Sequence, residues 1–375
     1  MKIPLASPDV TAREIEAVLE VLHSSHLALG PRLAAFEAAM TTLTGVHHAI
    51  ATNSGTSALH LVVRALGIGR GDEVITTPFS FIASSNCILF EGGTPVFVDI
   101  EPRTLCIDPE RVDRAITPRT KAILAVDVFG HPADWPALER IARKRHLRLI
   151  EDSAESLGSR LDGRPCGSFG HAAIFGFYPN KQITTGEGGA VVTDNPEIAR
   201  LCRSMVNQGR GEEGGWLDHV RLGYNYRMDE MSAALGLAQL GRIEEIMSAR
   251  ARVASWYAEA LQKVEGVEPP YVALGVTMSW FVYVVRLDSR FSALDRAQVM
   301  KGLQNEGIGC RDYFQPIHLQ PFYRELLKTR EGDFPVTESI ARRTIALPFY
   351  NRLTYDEVRH VAEVLGELVA SVGKV

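Results

Sequence analysis

The 375-residue sequence predicts an α/β protein: a large unit with a mostly parallel central sheet, followed by a smaller C-terminal α+β unit. Three observations carry the prediction. Short β-branched runs alternate with helical stretches through the first two-thirds of the chain, the pattern of βαβ units. Polar clusters follow several of those runs, where the sites of parallel sheets lie. After EGVEPPYVALG the pattern changes to a shorter mixture of strand and helix.

Taken in order, AREIEAVLEVLHSS reads as an amphipathic helix, HAIAT (48–52) as a strand and GTSALHLVVRAL as a helix. DEVITTP is a strand, SFIASSNCILFEGG a helix and TPVFVDI a strand. KAILAVDVFG, DWPALERIARKRH and LRLIEDSA repeat the strand–helix–strand pattern, and AAIFGF with GAVVTD reads as a further strand pair. MDEMSAALGLAQLGRIEEIMSARARVASWYAEAL reads as one long helix bridging to the second unit. WFVYVVRL is then a strand, LDRAQVMKGLQNEGI a helix, CRDYFQP a strand or loop, and YDEVRHVAEVLGELVASV the closing helix. The boundary is placed near residue 250, giving units 1–250 and 251–375.

Composition excludes several classes. With 46% hydrophobic and 23% charged residues the chain is ordinary globular material, and a net charge of -5 argues against a nucleic-acid binder. Its five cysteines (Cys87, Cys106, Cys166, Cys202, Cys310) are scattered without a C-x-x-C pair, which suggests neither a disulfide framework nor a zinc site. MKIPLASPDV has no apolar stretch suited to a signal peptide, and no run reaches the ~18 apolar residues of a membrane span. A cytoplasmic protein without a membrane partner is expected. His47 and His48 are adjacent, so in a strand they face opposite ways and are not expected to hold a metal. The acidic pair Glu212–Glu213 reads as a solvated loop.

Four stretches carry candidate chemistry. NSGTSALHL (53–61) is a small-residue turn opening a helix; amides and hydroxyls around Gly55, Thr56 and Ser57 suit an anion, and an ordinary capped helix start reads the same way. It is neither a P-loop nor a dinucleotide-binding glycine pattern, which counts against an NTPase or a nicotinamide dehydrogenase. Asp152 follows the apolar run LRLI, as a partner for a protonated ring nitrogen or as a helix cap. Phe81 is either a stacking platform for a flat ring or a core residue. Lys181 sits between FGFYPN and QITTGEGG, beside Gly186, Gly188 and Gly189. A desolvated lysine there could form a Schiff base; a solvated hairpin lysine is the plain alternative.

The order of these stretches is more telling than any one of them. NSGTSALHL, TTPFSFIASSN, IEDSAES, FGFYPNKQITTGEGGA and GYNYRM together resemble the DegT/StrS-type family of pyridoxal-phosphate (PLP)-dependent aminotransferases, from PLASPDVTAREIEAVLEVL to LPFYNRLTYDEV. The resemblance implies fold-type I aminotransferase architecture, PLP as cofactor and transamination from an amino acid, taken as glutamate, to a keto sugar on a nucleoside diphosphate (a 4-keto-6-deoxyhexose or 3-keto analogue), serving surface-polysaccharide or secondary-metabolite sugar synthesis.

Residue by residue, it implies that Lys181 carries the cofactor as a Schiff base and that Asp152 holds the pyridine nitrogen protonated. Phe81 would stack on the ring, while Gly55, Thr56 and Ser57 would bind the phosphate. Asn225 would reach the phosphate of the neighbouring subunit's cofactor, implying a homodimer with shared active sites. Tyr178, His318 and Arg311 would contact substrate, and Arg227 is a further cation for a sugar pyrophosphate. Two positions depart from the family's pattern: Gly176 stands where many relatives have a phosphate-binding Ser, and Glu155 where relatives commonly have Gln or His near the cofactor's phenolic oxygen. A carboxylate there is repulsive unless one group keeps a proton. Dehydration of a keto sugar, amination of a cyclitol ketone, or a PLP-binding sensor without catalysis are the alternatives on the same scaffold. Retention of Lys181 favours amino transfer.

Overall fold

The structure is a computed structural model that describes residues 2–211 and 217–372; the pair Glu212–Glu213 lies outside the described residues. In chain order the strands are β1 (His48–Thr52), β2 (Glu73–Thr76), β3 (Thr94–Phe97), β4 (Thr120–Val126), β5 (Arg148–Asp152), β6 (Arg160–Leu161), β7 (Arg164–Pro165), β8 (Ala172–Gly176), β9 (Gly189–Thr193), β10 (Val267–Glu268), β11 (Val276–Thr277), β12 (Tyr283–Leu287) and β13 (Thr344–Leu347). Seven of them form the central sheet in the order β1-β9-β8-β5-β4-β2-β3. Neighbours pair in parallel except at β9, which runs antiparallel to both β1 and β8.

A parallel sheet is covered on both faces, so its middle strands read as unbroken apolar runs. In β4, Ala122, Ile123, Leu124 and Ala125 are fully buried. That burial fixes the register that brings the ends of β4, β5 and β8 together. A second apolar cluster runs from Val253 to Val369 around the antiparallel sheet β10-β12-β13, and Ile3 at the start of the chain joins it. The helix Ile243–Leu261 spans both regions: Ile246 packs with Phe36 and Met40, whereas Val253, Ala254 and Tyr257 enter the second cluster. A small ribbon, β11-β6-β7, pairs a segment before β12 with the loop after β5.

Several expectations meet corrections. The single long helix is two, Glu230–Leu240 and Ile243–Leu261. Arg242 at the break has φ -116, and its guanidinium is held by Asp9, Glu14 and Glu245 rather than continuing along the helix. The helix Pro31–Thr44 was not among the expected elements, although Pro31 at its first turn and Gly45 at φ 75 beyond its end are ordinary boundary signals. CRDYFQP is loop with one bridge, Arg311 to Ala346. Among the described residues no helix is long and apolar enough to cross a membrane.

Candidate active site

Lys181 lies in the connection between β8 and β9, closed by Phe177 N–H to Gly188 O (2.9 Å), Thr185 N–H to Phe177 O (3.0 Å) and Lys181 N–H to Tyr178 O (2.9 Å). Gly186 takes φ 81, which favours glycine, and a Cβ on Gly188 would stand 2.2 Å from Thr185 Oγ1. The tight turn aims the lysine inward. Its amine lies 3.7 Å from Glu155 Oε1 and 3.9 Å from the centroid of the Phe281 ring. Burial pulls the ammonium below its ordinary range, and Glu155 and Asp152 offset part of that pull. The solvated-hairpin reading of Lys181 is therefore excluded.

Asp152 ends β5 and is buried, and no helix begins there for it to cap. Ser84 donates its hydroxyl to Asp152 Oδ2 at 2.7 Å, and Ala154 N–H donates to Oδ1 at 3.2 Å. No cation stands within ion-pair distance of the carboxylate among the described residues. Burial pushes its pKa up, while Ser84, Ala154 and Lys181 draw it back. A buried carboxylate so placed lacks a cationic partner, the defect a protonated ring nitrogen would repair.

Glu155, also buried, accepts from Phe129 N–H at 2.8 Å and has its proton affinity raised by burial, with Lys181 acting against the rise. Gln182, next to the lysine, donates to the Glu155 carbonyl (2.6 Å) and to Ser279 Oγ (2.7 Å), tying three segments together.

Beside this cluster the helix Gly55–Ala65 begins, capped by Ser54 accepting from Ser57 N–H at 3.1 Å. The Ser57 hydroxyl donates to Asn53 Oδ1 at 2.7 Å, and the amides of Gly55 and Thr56 donate to no protein acceptor among the described residues. The turn is pressed against the sheet at glycines: a Cβ on Gly189 would stand 2.6 Å from Gly55 N. At Gly176 a Cβ would meet only ordinary contacts, 3.6 Å to Ala154 and 3.8 Å to Gly55, so the backbone does not demand glycine there. Free amides, a close-packed glycine seat and an unpaired buried carboxylate together fit PLP.

Phe81 is 62% exposed, too open for the core reading and free to stack. Tyr178 is 54% exposed. Asn225 is exposed, and the chain around it docks on the turn before the helix Gly55–Ala65: Asn53 N–H donates to Tyr226 O at 2.7 Å and Thr52 bridges to Arg227. Arg227 Nη1 donates to Asn207 Oδ1 (2.9 Å), Arg311 Nη1 to Cys310 O (3.3 Å), and neither has a carboxylate partner among the described residues.

His318 is a correction. It is fully buried in a short turn, Ile317–Leu319, with Nε2 at 3.0 Å from Glu338 Oε1, Nδ1 buried without a partner and its ring edge-on to Phe334, so neither nitrogen is open to a substrate. His47 pairs with Asp194 at 2.6 Å. Among the described residues, Asp127, Glu151 and Cys166 bring possible ligand atoms together, but Asp127 already accepts from Ala133, Trp135, Ser153 and Ser156. Ser84, Phe129, Gln182 and Phe281 were missed by sequence reasoning. Ser80 and Ser84, one helical turn apart and hydrogen-bonded at 2.9 Å, were a usable signal; Phe281, about a hundred residues after Lys181, left none.

Comparison with known proteins shows the family. Residues 8–366 match the DegT/DnrJ/EryC1/StrS aminotransferase family. The chain is 38% identical to GDP-perosamine synthase of Caulobacter vibrioides, over 98% of both chains. Among solved structures it is similar to S. venezuelae DesV in complex with a ketimine intermediate (35% identity, TM-score 0.89, covering 96% of this chain and 94% of that one). It is also similar to the PLP form of Spr1654 from Streptococcus pneumoniae (28% identity, TM-score 0.95, covering 99% and 100%).

Proposed function

The chain belongs to the DegT/DnrJ/EryC1/StrS aminotransferase family and is a PLP-dependent aminotransferase, and we propose that it transfers an amino group from glutamate to a keto sugar carried on a nucleoside diphosphate. The observation that carries the reading is the largely buried Lys181 amine 3.7 Å from Glu155, beside a buried Asp152 carboxylate that lacks a cation. The likeness to GDP-perosamine synthase along nearly the whole chain supports the nucleotide-linked acceptor.

Lys181, Asp152, Gly55, Thr56, Ser57 and Phe81 are the residues proposed to hold the cofactor. When bound, PLP supplies an aldehyde carbon that joins amines and a ring that takes up electrons as the substrate carbon loses its proton. The amine of Lys181, depressed by burial, is neutral more often than a surface lysine, so its Nζ can both take up and return a proton. Ser84 and Ala154 hold the Asp152 carboxylate in place, and an ion pair from it would keep a bound ring nitrogen protonated. Phe281 excludes water from one side of the lysine. The unpaired amides of Gly55 and Thr56 at the helix start would hold the phosphate.

Asn225 is exposed and no side-chain partner holds it among the described residues, which supports a role towards a neighbouring subunit in a homodimer. We place the division between the two units inside the helix Ile243–Leu261, where the packing changes from one cluster to the other. Incubation with glutamate and a panel of nucleoside-diphosphate keto sugars, with product mass and position of the new amine determined, tests the function. Formation of 2-oxoglutarate with an aminated nucleotide sugar supports it; amination of free cyclitols alone, or loss of water without amination, contradicts it.

A further inference from the structure

Arg250 enters the interior from the helix Ile243–Leu261 and is 4% exposed. No carboxylate stands within ion-pair distance of it among the described residues. Its donors go to neutral acceptors: Nε to Trp280 O at 2.7 Å, Nη2 to Phe281 O at 2.7 Å and Nη1 to Asn351 Oδ1 at 3.0 Å. Asp9 reaches it only through Asn351, whose Nδ2 donates to Asp9 Oδ2 at 3.0 Å. Burying a guanidinium without a counter-ion is unfavourable, and burial brings its pKa down to about 10. Its hydrogen bonds are concentrated on two consecutive carbonyls, and the first belongs to a strained residue: Trp280 has φ 54, a region unfavourable for a bulky side chain. The same segment is pinned at its other end by Ser279 to Gln182. What it presents to the site is the Phe281 ring, 3.9 Å from Lys181 Nζ.

We propose that Arg250 is a positioning residue for Lys181: by clamping the Trp280 and Phe281 carbonyls, it sets the Phe281 ring against the lysine amine as a dry wall. The proposal rests on reading Lys181 as the cofactor's lysine. The wall removes water from the charged form, and the ring face returns only part of that loss. Glu155 and Asp152 are the charged groups facing the amine, and they act in the opposite sense to burial. Weakening the clamp therefore moves the amine's titration up, towards an ordinary lysine.

The test uses the pyridoxamine-phosphate form, in which Lys181 is free. Competitive labelling with acetic anhydride across pH, read at the Lys181 peptide by mass spectrometry, gives the midpoint of its amine. It is run on wild type, Arg250→Lys, Phe281→Ala and the double variant, each with its melting temperature. The midpoint rises by roughly one unit in each single variant, about tenfold fewer neutral amines at neutral pH. The double variant shifts no further than Phe281→Ala alone, because the arginine acts through the ring. Should Arg250→Lys fail to fold, Arg250→Gln keeps a donor without the buried charge and carries the same expected shift. An unmoved midpoint with a lowered melting temperature makes Arg250 merely structural and overturns the proposal, as does an additive double shift. Borohydride mapping of wild type separately tests Lys181 as the cofactor's attachment point, so the two failures are distinguishable.

Discussion

Lys181 Nζ stands 3.7 Å from Glu155 Oε1, and Asp152 forms a second buried carboxylate in the same pocket. One amine faces two acids. Burial raises the proton affinity of both acids and lowers that of the lysine, while each opposite charge works against that trend. The pocket is therefore sensitive to the removal of any one of the three groups.

Removing the Glu155 charge tests its share. A carboxylate favours the protonated form of a neighbouring nitrogen, so Glu155→Gln lowers the pH at which the bound cofactor's visible absorbance titrates, by roughly one unit. An unchanged titration takes Glu155 out of the cofactor's electrostatics.

Removing the amine has a larger effect. Lys181→Ala loses the group that takes up and returns the proton, and kcat falls at least ~10²–10⁴-fold with glutamate as donor. Steady-state assay of product against time checks this, and sustained turnover near the wild-type rate contradicts it.

Asp152→Asn separates function from stability. The folded-state pKa of Asp152 is raised, so the folded protein holds an extra proton between the unfolded and folded values, and the group's contribution to stability falls as pH rises through that window. At neutral pH the cofactor-free variant is more stable than wild type, because it no longer carries a buried carboxylate whose charge burial disfavours. It also gains less on acidification and binds PLP more weakly. Melting curves at neutral and mildly acid pH, with a PLP titration, check all three; a less stable cofactor-free variant contradicts the account.

How much of this was legible in the sequence depended on how local the signal was. Lys181, Asp152 and the Ser54–Ser57 turn each lie beside a strand end whose apolar run and following small residues are visible in one short window. The strand His48–Thr52 and the helix Tyr355–Val372 were readable for the same reason. Phe281 and Arg250 were not, because their contacts exist only once segments about a hundred residues apart along the chain pack together. The break at Gly241–Arg242 was hidden because the apolar pattern continues across it, and what stops the helix is the pairing of Arg242 with Asp9 and Glu14 at the far end of the chain. His318 shows the converse: its motif suggested the site, and burial against Glu338 removed it.

Sharing of sites between subunits is open to complementation. In the proposed homodimer, Lys181→Ala disables the protomer that holds the lysine, while Asn225→Ala weakens the phosphate site of its neighbour. Mixed after unfolding and refolding, the two variants re-form hybrid dimers with one intact site each, and activity recovers to about a quarter of wild type, as random pairing in a two-fold dimer requires. No recovery beyond the sum of the two variants places Asn225 in its own subunit's site.

The most direct measurement is borohydride reduction of the PLP-loaded protein, followed by proteolysis and mass mapping of the modified peptide. The account predicts one phosphopyridoxyl group per chain, on Lys181 within FGFYPNKQITTGEGGA. A label on any other lysine, or none at all, contradicts it.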